Sequence, residues 1–327
     1  MTDKHEATIL VVGKLHPHAV ERIGDIFATE RVEKGDPALV TPELAQRIRG
    51  VAVSGALNAA FMDALPNLEI VANFGVGYDN VDAAHAGKTG IMVTNTPDVL
   101  TEEVADTALG LLIDTVRELP QAQAWLRAGK WETEGNYPLT KLSLRGRRAG
   151  IFGLGRIGKA IARRLEAFGL SVAYHNRHRA DDVVYDYYPS LLALAEAVDT
   201  LIVAAPGGAG TEKAVNAEVL RALGPDGVLI NIGRGSVVDE EALIAALGSG
   251  TIAAAGLDVF ADEPRVPQAL IDLPNATLLP HVASASQATR RAMADLVVDN
   301  LVSWFKDGAA LTPVRETANN MGRGVKK

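Results

Sequence analysis

Cysteine is missing from all 327 residues. Its absence excludes disulfide staples, thiolate nucleophiles and cysteine-ligated zinc, and it fits a reducing compartment. There is no apolar run of the length a bilayer span requires, so no membrane helix is expected. Positive charge is in deficit: 32 Lys and Arg face 40 Asp and Glu, and a net charge of −8 makes nucleic acid and anionic membrane poor partners. Metal-ligand spacing is also lacking. His16-Pro-His18 and the pair His175 and His178 bring no third ligand in sequence, H-E-x-x-H does not occur, and no metal is expected. The charged start, Met1-Thr-Asp-Lys-His-Glu6, is unlike a signal peptide, so a cytoplasmic protein is expected.

What is present is ample apolar content, 48% of residues, in a chain long enough for two domains. The organising stretch is Gly150-Ile-Phe-Gly-Leu-Gly-Arg-Ile-Gly158. A short apolar strand runs into Gly153, Gly155 and Gly158 at G-x-G-x-x-G spacing, and the helical run Lys159 to Phe168 follows. Backbone must come close to phosphate in a dinucleotide site. Gly153 suits the tight turn, Gly155 leaves room for a pyrophosphate, and Gly158 lets helix and strand approach, with Leu154, Arg156 and Ile157 completing the loop.

The strand beyond, Leu170 to His175, ends where NAD-binding folds usually set an acid on the ribose 2′-hydroxyl. Here stand Asn176, Arg177, His178 and Arg179. Donors and positive charge at that point favour a 2′-phosphate, so NADP(H) is expected over NAD(H). The competing reading is a solvated basic loop in which Asp181 and Asp182 pair with the arginines.

Strands and helices alternate along the whole chain. Thr8–Val12, Gly50–Ser54, Leu68–Asn73 and Gly90–Thr94 read as strands in the first part, with a helix over His18–Ala28. A long helix over Thr101–Leu119 stops at Pro120, and residues 121–148 read as polar and turn-rich. The later strands are continuous apolar runs, as in a parallel sheet covered on both faces, and each ends on a residue with polar work to do. Those ends are Pro206, Ile232-Gly233-Arg234, Asp258 and Pro280-His281. Ligands of such sheets lie outside the carboxyl ends of the strands. The expected fold is therefore α/β, two Rossmann-like doubly wound parallel-sheet domains separated by a cleft. The helix Gln287–Phe305 returns the chain to the first domain, and the tail after Pro313 is expected to fray.

Arg234, Glu263 and His281 make a chemical set. Reduction of a 2-keto acid needs a cation for the carboxylate and carbonyl, and a proton donor for the oxygen that becomes hydroxyl. Arg234 binds without titrating, His281 is the acid, and a carboxylate such as Glu263 orients the ring and favours its charged form. Singly, each has a plainer reading as an ion-pair residue, a charged turn or a strand cap.

The segments N-I-G-R-G-S-V-V-D-E (231–240), G-L-D-V-F-A-D-E-P (256–264) and L-L-P-H-V-A-S-A-S (278–286), with G-L-G-R-I-G, resemble the D-isomer-specific 2-hydroxyacid dehydrogenases, most of all their NADPH-dependent glyoxylate/hydroxypyruvate reductases. The match runs from about Leu68 to Val314. The resemblance implies Arg234 as the substrate-binding and carbonyl-polarising cation, Glu263 as the partner of His281, and His281 as acid/base. It implies Asp258 at the nicotinamide carboxamide, Pro206, Ile232 and Gly233 along the cofactor, and backbone N–H groups of Val76 and Gly77 on the substrate carboxylate. It also implies a homodimer, a substrate domain of residues 1–98 plus 289–327 and a dinucleotide domain of 99–288. Family members close the pocket with an aromatic from the 131–142 loop, where this chain offers Tyr137. Two rival functions stand beside the small-keto-acid reductase: a reductase of bulkier keto acids such as hydroxyphenylpyruvate, and a dinucleotide-sensing interaction protein like the related corepressors.

Overall fold

The computed structural model describes residues 5–320. Residues within Met1–Leu100 and Ser286–Lys327 form one compact unit, and Thr101–Ala285 form the other. Among the described residues no helix is long and apolar enough to cross a membrane.

In the first unit the strands β1 (His5–Gly13), β2 (Phe27–Val32), β3 (Ile48–Ser54), β4 (Ile70–Asn73) and β5 (Met92–Thr94) form a sheet of order β2-β1-β3-β4-β5. All pairs are parallel. Both faces are covered, which is why β1 reads as an unbroken apolar run. Leu10 and Val12 enter a core with Phe61, Met62 and Val71, whereas Ile9 and Val11 enter another with Ile23, Val297 and Trp304. Burying one such side chain contributes about 1.5–3 kcal/mol, so a one-residue slip of the strand would exchange both layers at once. The second layer is supplied by helices Pro17–Ile26 and Gln287–Asp307.

The second unit contains β6 (Arg148–Phe152), β7 (Ser171–His175), β8 (Asp186–Tyr187), β9 (Thr200–Val203), β10 (Val228–Asn231), β11 (Ala254–Leu257) and β12 (Ala276–Leu278), in the order β12-β11-β10-β9-β6-β7-β8. Counted from β6 this is 7-6-5-4-1-2-3, the doubly wound order whose direction reverses between β6 and β9. Helix Thr101–Arg117 packs closely on the sheet: a Cβ added to Gly256 would lie 2.5 Å from Thr115 Oγ1.

The structure corrects three expectations. The first helix ends at Ile26, short of Ala28, and Phe27 begins β2, an edge strand with only that residue buried, whose charged side chains hide it from an apolar-run criterion. Pro120 does not end structure. Glu118 takes a left-handed φ of 52°, and Pro120 then sits in the first turn of a new helix, Leu119–Arg127, where its missing N–H costs nothing. The tail does not fray at Pro313. Val314 N–H donates to Val93 O, and Thr317, fully buried, donates through Oγ1 to the same carbonyl. Residues 321–327 of that tail lie outside the described residues.

Candidate active site

The glycine loop fits a pyrophosphate on steric grounds. Gly153 has φ 101°, and a Cβ there would stand 2.5 Å from Ala205 N; a Cβ on Gly158 would stand 2.3 Å from Gly153 O. Gly155, by contrast, has nothing within 4 Å of its Cβ direction. It caps helix Arg156–Ala167 with no side chain on the orphan N–H groups, so backbone donors and the positive helix end open on unfilled space. Arg156 and Ile157 form the first turn, and Leu154 is buried beneath it.

Asn176 has a different first task from the expected phosphate contact. Its Oδ1 accepts the Leu154 N–H at 2.6 Å and its Nδ2 faces Leu154 O at 3.5 Å, while Gly153 N–H donates to His175 O. The carboxamide thus pins the glycine loop to the end of β7. Arg177 and Arg179 are exposed, and neither makes an ion pair among the described residues. Asp182, the rival partner, pairs instead with Lys159 at 2.5 Å. Arg177 Nη2 lies 3.8 Å from a Cβ built on Gly210, which brings it to the loop that follows Pro206.

The ends of β10, β11 and β12 converge. Asn231, 1% exposed, accepts Gly233 N–H at 3.1 Å and donates to Arg234 O at 3.0 Å, bracing the turn that presents Arg234. Gly235 must lack a side chain, since a Cβ would fall 1.8 Å from Phe260 C. That close approach brings the Arg234 turn against the segment carrying Glu263. Glu263 accepts Phe260 N–H at 3.1 Å through Oε1 and meets His281 Nδ1 at 2.7 Å through Oε2. His281 occupies a left-handed φ of 54°, a conformation that costs energy for a residue with a Cβ. Its turn is held in place by Asp258, whose two carboxylate oxygens accept the N–H groups of Val282 (2.7 Å) and Ala283 (2.9 Å). Asp258 is fully buried, so the carboxylate read as a cofactor contact is engaged in supporting His281. Burial pushes its carboxyl up against the pull of those two donors.

Burial also opposes the charge on Glu263, but the hydrogen bonds from His281 and Phe260 and the charges of His281 and Arg234 outweigh it and hold the carboxyl below its ordinary value. A lowered native value means that the ionised group stabilises the fold above the unfolded value. That contribution declines as the pH falls through the native one. The thermal midpoint of the wild type should therefore exceed that of Glu263→Gln near pH 5, by a margin that shrinks as the pH falls below the unfolded value of about 4.3. A margin unchanged down to about pH 2, or none near pH 5, would contradict this assignment.

With Nδ1 on Glu263, the other ring nitrogen of His281 is the one available to an incoming oxygen, and the ring is 48% exposed. A cation, a carboxylate-supported imidazole and a glycine-rich loop at a helix N-terminus thus share the carboxyl edge of one sheet. Val76 and Gly77 lie at the carboxyl end of β4 in the other unit. Tyr137, the aromatic that the 131–142 loop offers for closing the pocket, is used within its own segment. Its hydroxyl donates to Glu118 at 2.7 Å and its ring meets Trp125 edge-on. Desolvation, with the hydrogen bond to Glu118 and its charge, pushes that hydroxyl up to about 12. Trp131 (60% exposed) and Leu139 (100%) are the apolar side chains this stretch lays open. Asn231 and Gly235 escaped the sequence reading. A buried asparagine ending an apolar strand was the available signal, since such a group needs partners.

The D-isomer specific 2-hydroxyacid dehydrogenase NAD-binding domain model matches residues 109–283. A glyoxylate/hydroxypyruvate reductase A of Arabidopsis thaliana is 50% identical over 265 residues, 81% of this chain and 84% of the relative. A hydroxyphenylpyruvate reductase of Plectranthus scutellarioides is 47% identical over 272 residues, 83% and 86% of the two chains. Among solved structures, an NADPH-dependent glyoxylate/hydroxypyruvate reductase from Sinorhizobium meliloti, in complex with NADP and malonate, is 62% identical with a TM-score of 0.95, covering 98% of this chain and 100% of that one.

Proposed function

The chain belongs to the D-isomer specific 2-hydroxyacid dehydrogenases, and from that premise we propose that it reduces a small 2-keto acid, glyoxylate or hydroxypyruvate, to the D-2-hydroxy acid with NADPH. The observation that carries the reading is the 2.7 Å contact between His281 and Glu263 on the turns beside Arg234. When bound at Gly153–Gly158, the dinucleotide supplies the hydride. His281 gives its ring proton to the carbonyl oxygen as the keto carbon gains that hydride, and Glu263 balances the charge of the imidazolium before the transfer. Arg234 draws electron density toward the oxygen and holds the carboxylate, a task for a cation that does not titrate. The backbone N–H groups of Val76 and Gly77 are assigned to the substrate carboxylate as further donors.

The exposed Arg177 and Arg179 support NADP(H) over NAD(H). Asn176→Asp keeps an oxygen for the Leu154 N–H but adds negative charge where a 2′-phosphate would sit. NADPH should lose about tenfold or more in kcat/KM while NADH loses little. Equal effects on both dinucleotides would remove the phosphate from this end of β7. The cysteine-free composition is consistent with a cytoplasmic enzyme. The exposed Leu126, Trp131 and Leu139 suit a homodimer contact along residues 119–140.

A bulkier aromatic keto acid is the second reading, favoured by the likeness to a hydroxyphenylpyruvate reductase. Oxidation of NADPH and NADH, side by side, with glyoxylate, hydroxypyruvate and hydroxyphenylpyruvate separates the two. Highest kcat/KM on a small acid with NADPH supports the proposal. Preference for the aromatic acid favours the second reading, and tight dinucleotide binding without turnover on any keto acid defeats both.

A further inference from the structure

The turn after β4 runs Asn73-Phe-Gly-Val-Gly-Tyr78, and its central carbonyls are tied from behind. Asn73, 2% exposed, donates Nδ2 to Gly77 O at 3.0 Å and to Gly75 O at 3.3 Å. Thr96 N–H also reaches Gly75 O, at 2.9 Å. Asn95, half-buried just past β5, donates Nδ2 to Val76 O at 2.7 Å. Asn95 is braced in turn, its carbonyl accepting Thr312 Oγ1 at 2.7 Å. Fully buried Asn300, on helix Gln287–Asp307, accepts the N–H groups of Leu311 and Thr312 and donates to Thr312 Oγ1.

A planar trans peptide points its C=O and the next residue's N–H in opposite directions. Tying Gly75 O backward therefore turns the Val76 N–H outward, and tying Val76 O backward does the same for Gly77. Among the described residues neither N–H has a protein acceptor. In a glycine turn either peptide could flip at small cost, and a flip would set a carbonyl oxygen against an incoming anion. We propose that Asn95 and Asn73 are positioning residues of the substrate-carboxylate site, fixing both peptides so that two N–H donors face the carboxylate. This rests on the reading of Val76 and Gly77 as the carboxylate turn.

Asn95→Ala releases the Val76 carbonyl, and Asn95→Asp, of the same shape, cannot donate to it. In both, the KM for glyoxylate and the inhibition constant of oxamate should rise about tenfold or more, the worth of one charge-assisted hydrogen bond, with a smaller change in kcat. NADPH affinity and the thermal midpoint should hardly move, whereas a merely structural role would shift those and leave the carboxylate-specific constants alone. Unchanged KM and inhibition constants, in variants that fold and alongside a wild type that reduces glyoxylate, overturn the proposal and leave the reductase reading intact. A wild type inactive on every keto acid instead removes the reading beneath it. Should both variants fail to fold, the 15N-labelled wild type decides: with NADP+ present, oxamate must shift the Val76 and Gly77 amide resonances, and their indifference to it overturns the proposal.

Discussion

His281→Ala is expected to lower kcat for keto-acid reduction about 10³-fold, within the range that loss of a positioned general acid produces. Dinucleotide affinity should barely change. His281 sits on the turn after β12, held by Asp258, and the glycine loop that fits the pyrophosphate is braced separately by His175 O and Asn176. Glu263→Gln should fall between wild type and alanine, because an amide still orients the ring but sets no negative charge beside it. Steady-state rates with the dissociation constant of NADPH measured in parallel check both statements. Turnover retained in His281→Ala takes the proton transfer away from this residue.

The second large effect belongs to Arg234. Arg234→Met should reduce kcat/KM about 10³-fold, since it removes both the carboxylate anchor and the charge that stabilises the developing alkoxide. Arg234→Lys should recover only part of that, because an ammonium has one compact charge in place of a planar fork of donors. The methionine variant carries a second signature. The Arg234 charge helps keep the Glu263 carboxyl low, so its loss should move Glu263 back toward its ordinary value. The acid limb of the pH–rate profile should move upward with it. A pH profile identical to wild type would mean that the two side chains do not share a field.

Much of this arrangement was readable before any coordinates. Most strands of the second unit announce themselves because a parallel sheet buried on both faces leaves few polar residues before the chain emerges at the carboxyl end. Arg234, Asp258 and His281 stand at or just beyond those emergence points. Elements with little core to bury were harder to read. β2 lies at a sheet edge and β8 has only two residues, Asp186 and Tyr187, so neither shows an apolar run. Pro120 signals a helix end and a helix start equally well, and only the left-handed Glu118 before it decides which. Tertiary pairings left the faintest trace. Nothing in the spacing of Asn73, Asn95 and Asn300 says that one chain of hydrogen bonds joins the turn of Val76 to a helix some two hundred residues later. Asn176 shows the reverse: the residue was singled out for its distance from the glycines, but its visible partner is the loop itself.

The central claim is a hydride passed to a keto carbon beside His281, and isotope transfer tests it most directly. The enzyme is supplied with hydroxypyruvate and NADPH carrying deuterium at both C4 positions, and the product is analysed for mass and handedness. D-glycerate with a single deuterium at C2 is the expected product, its handedness following from membership of the D-isomer specific family. Product lacking deuterium at that carbon, or of mixed handedness, would contradict it.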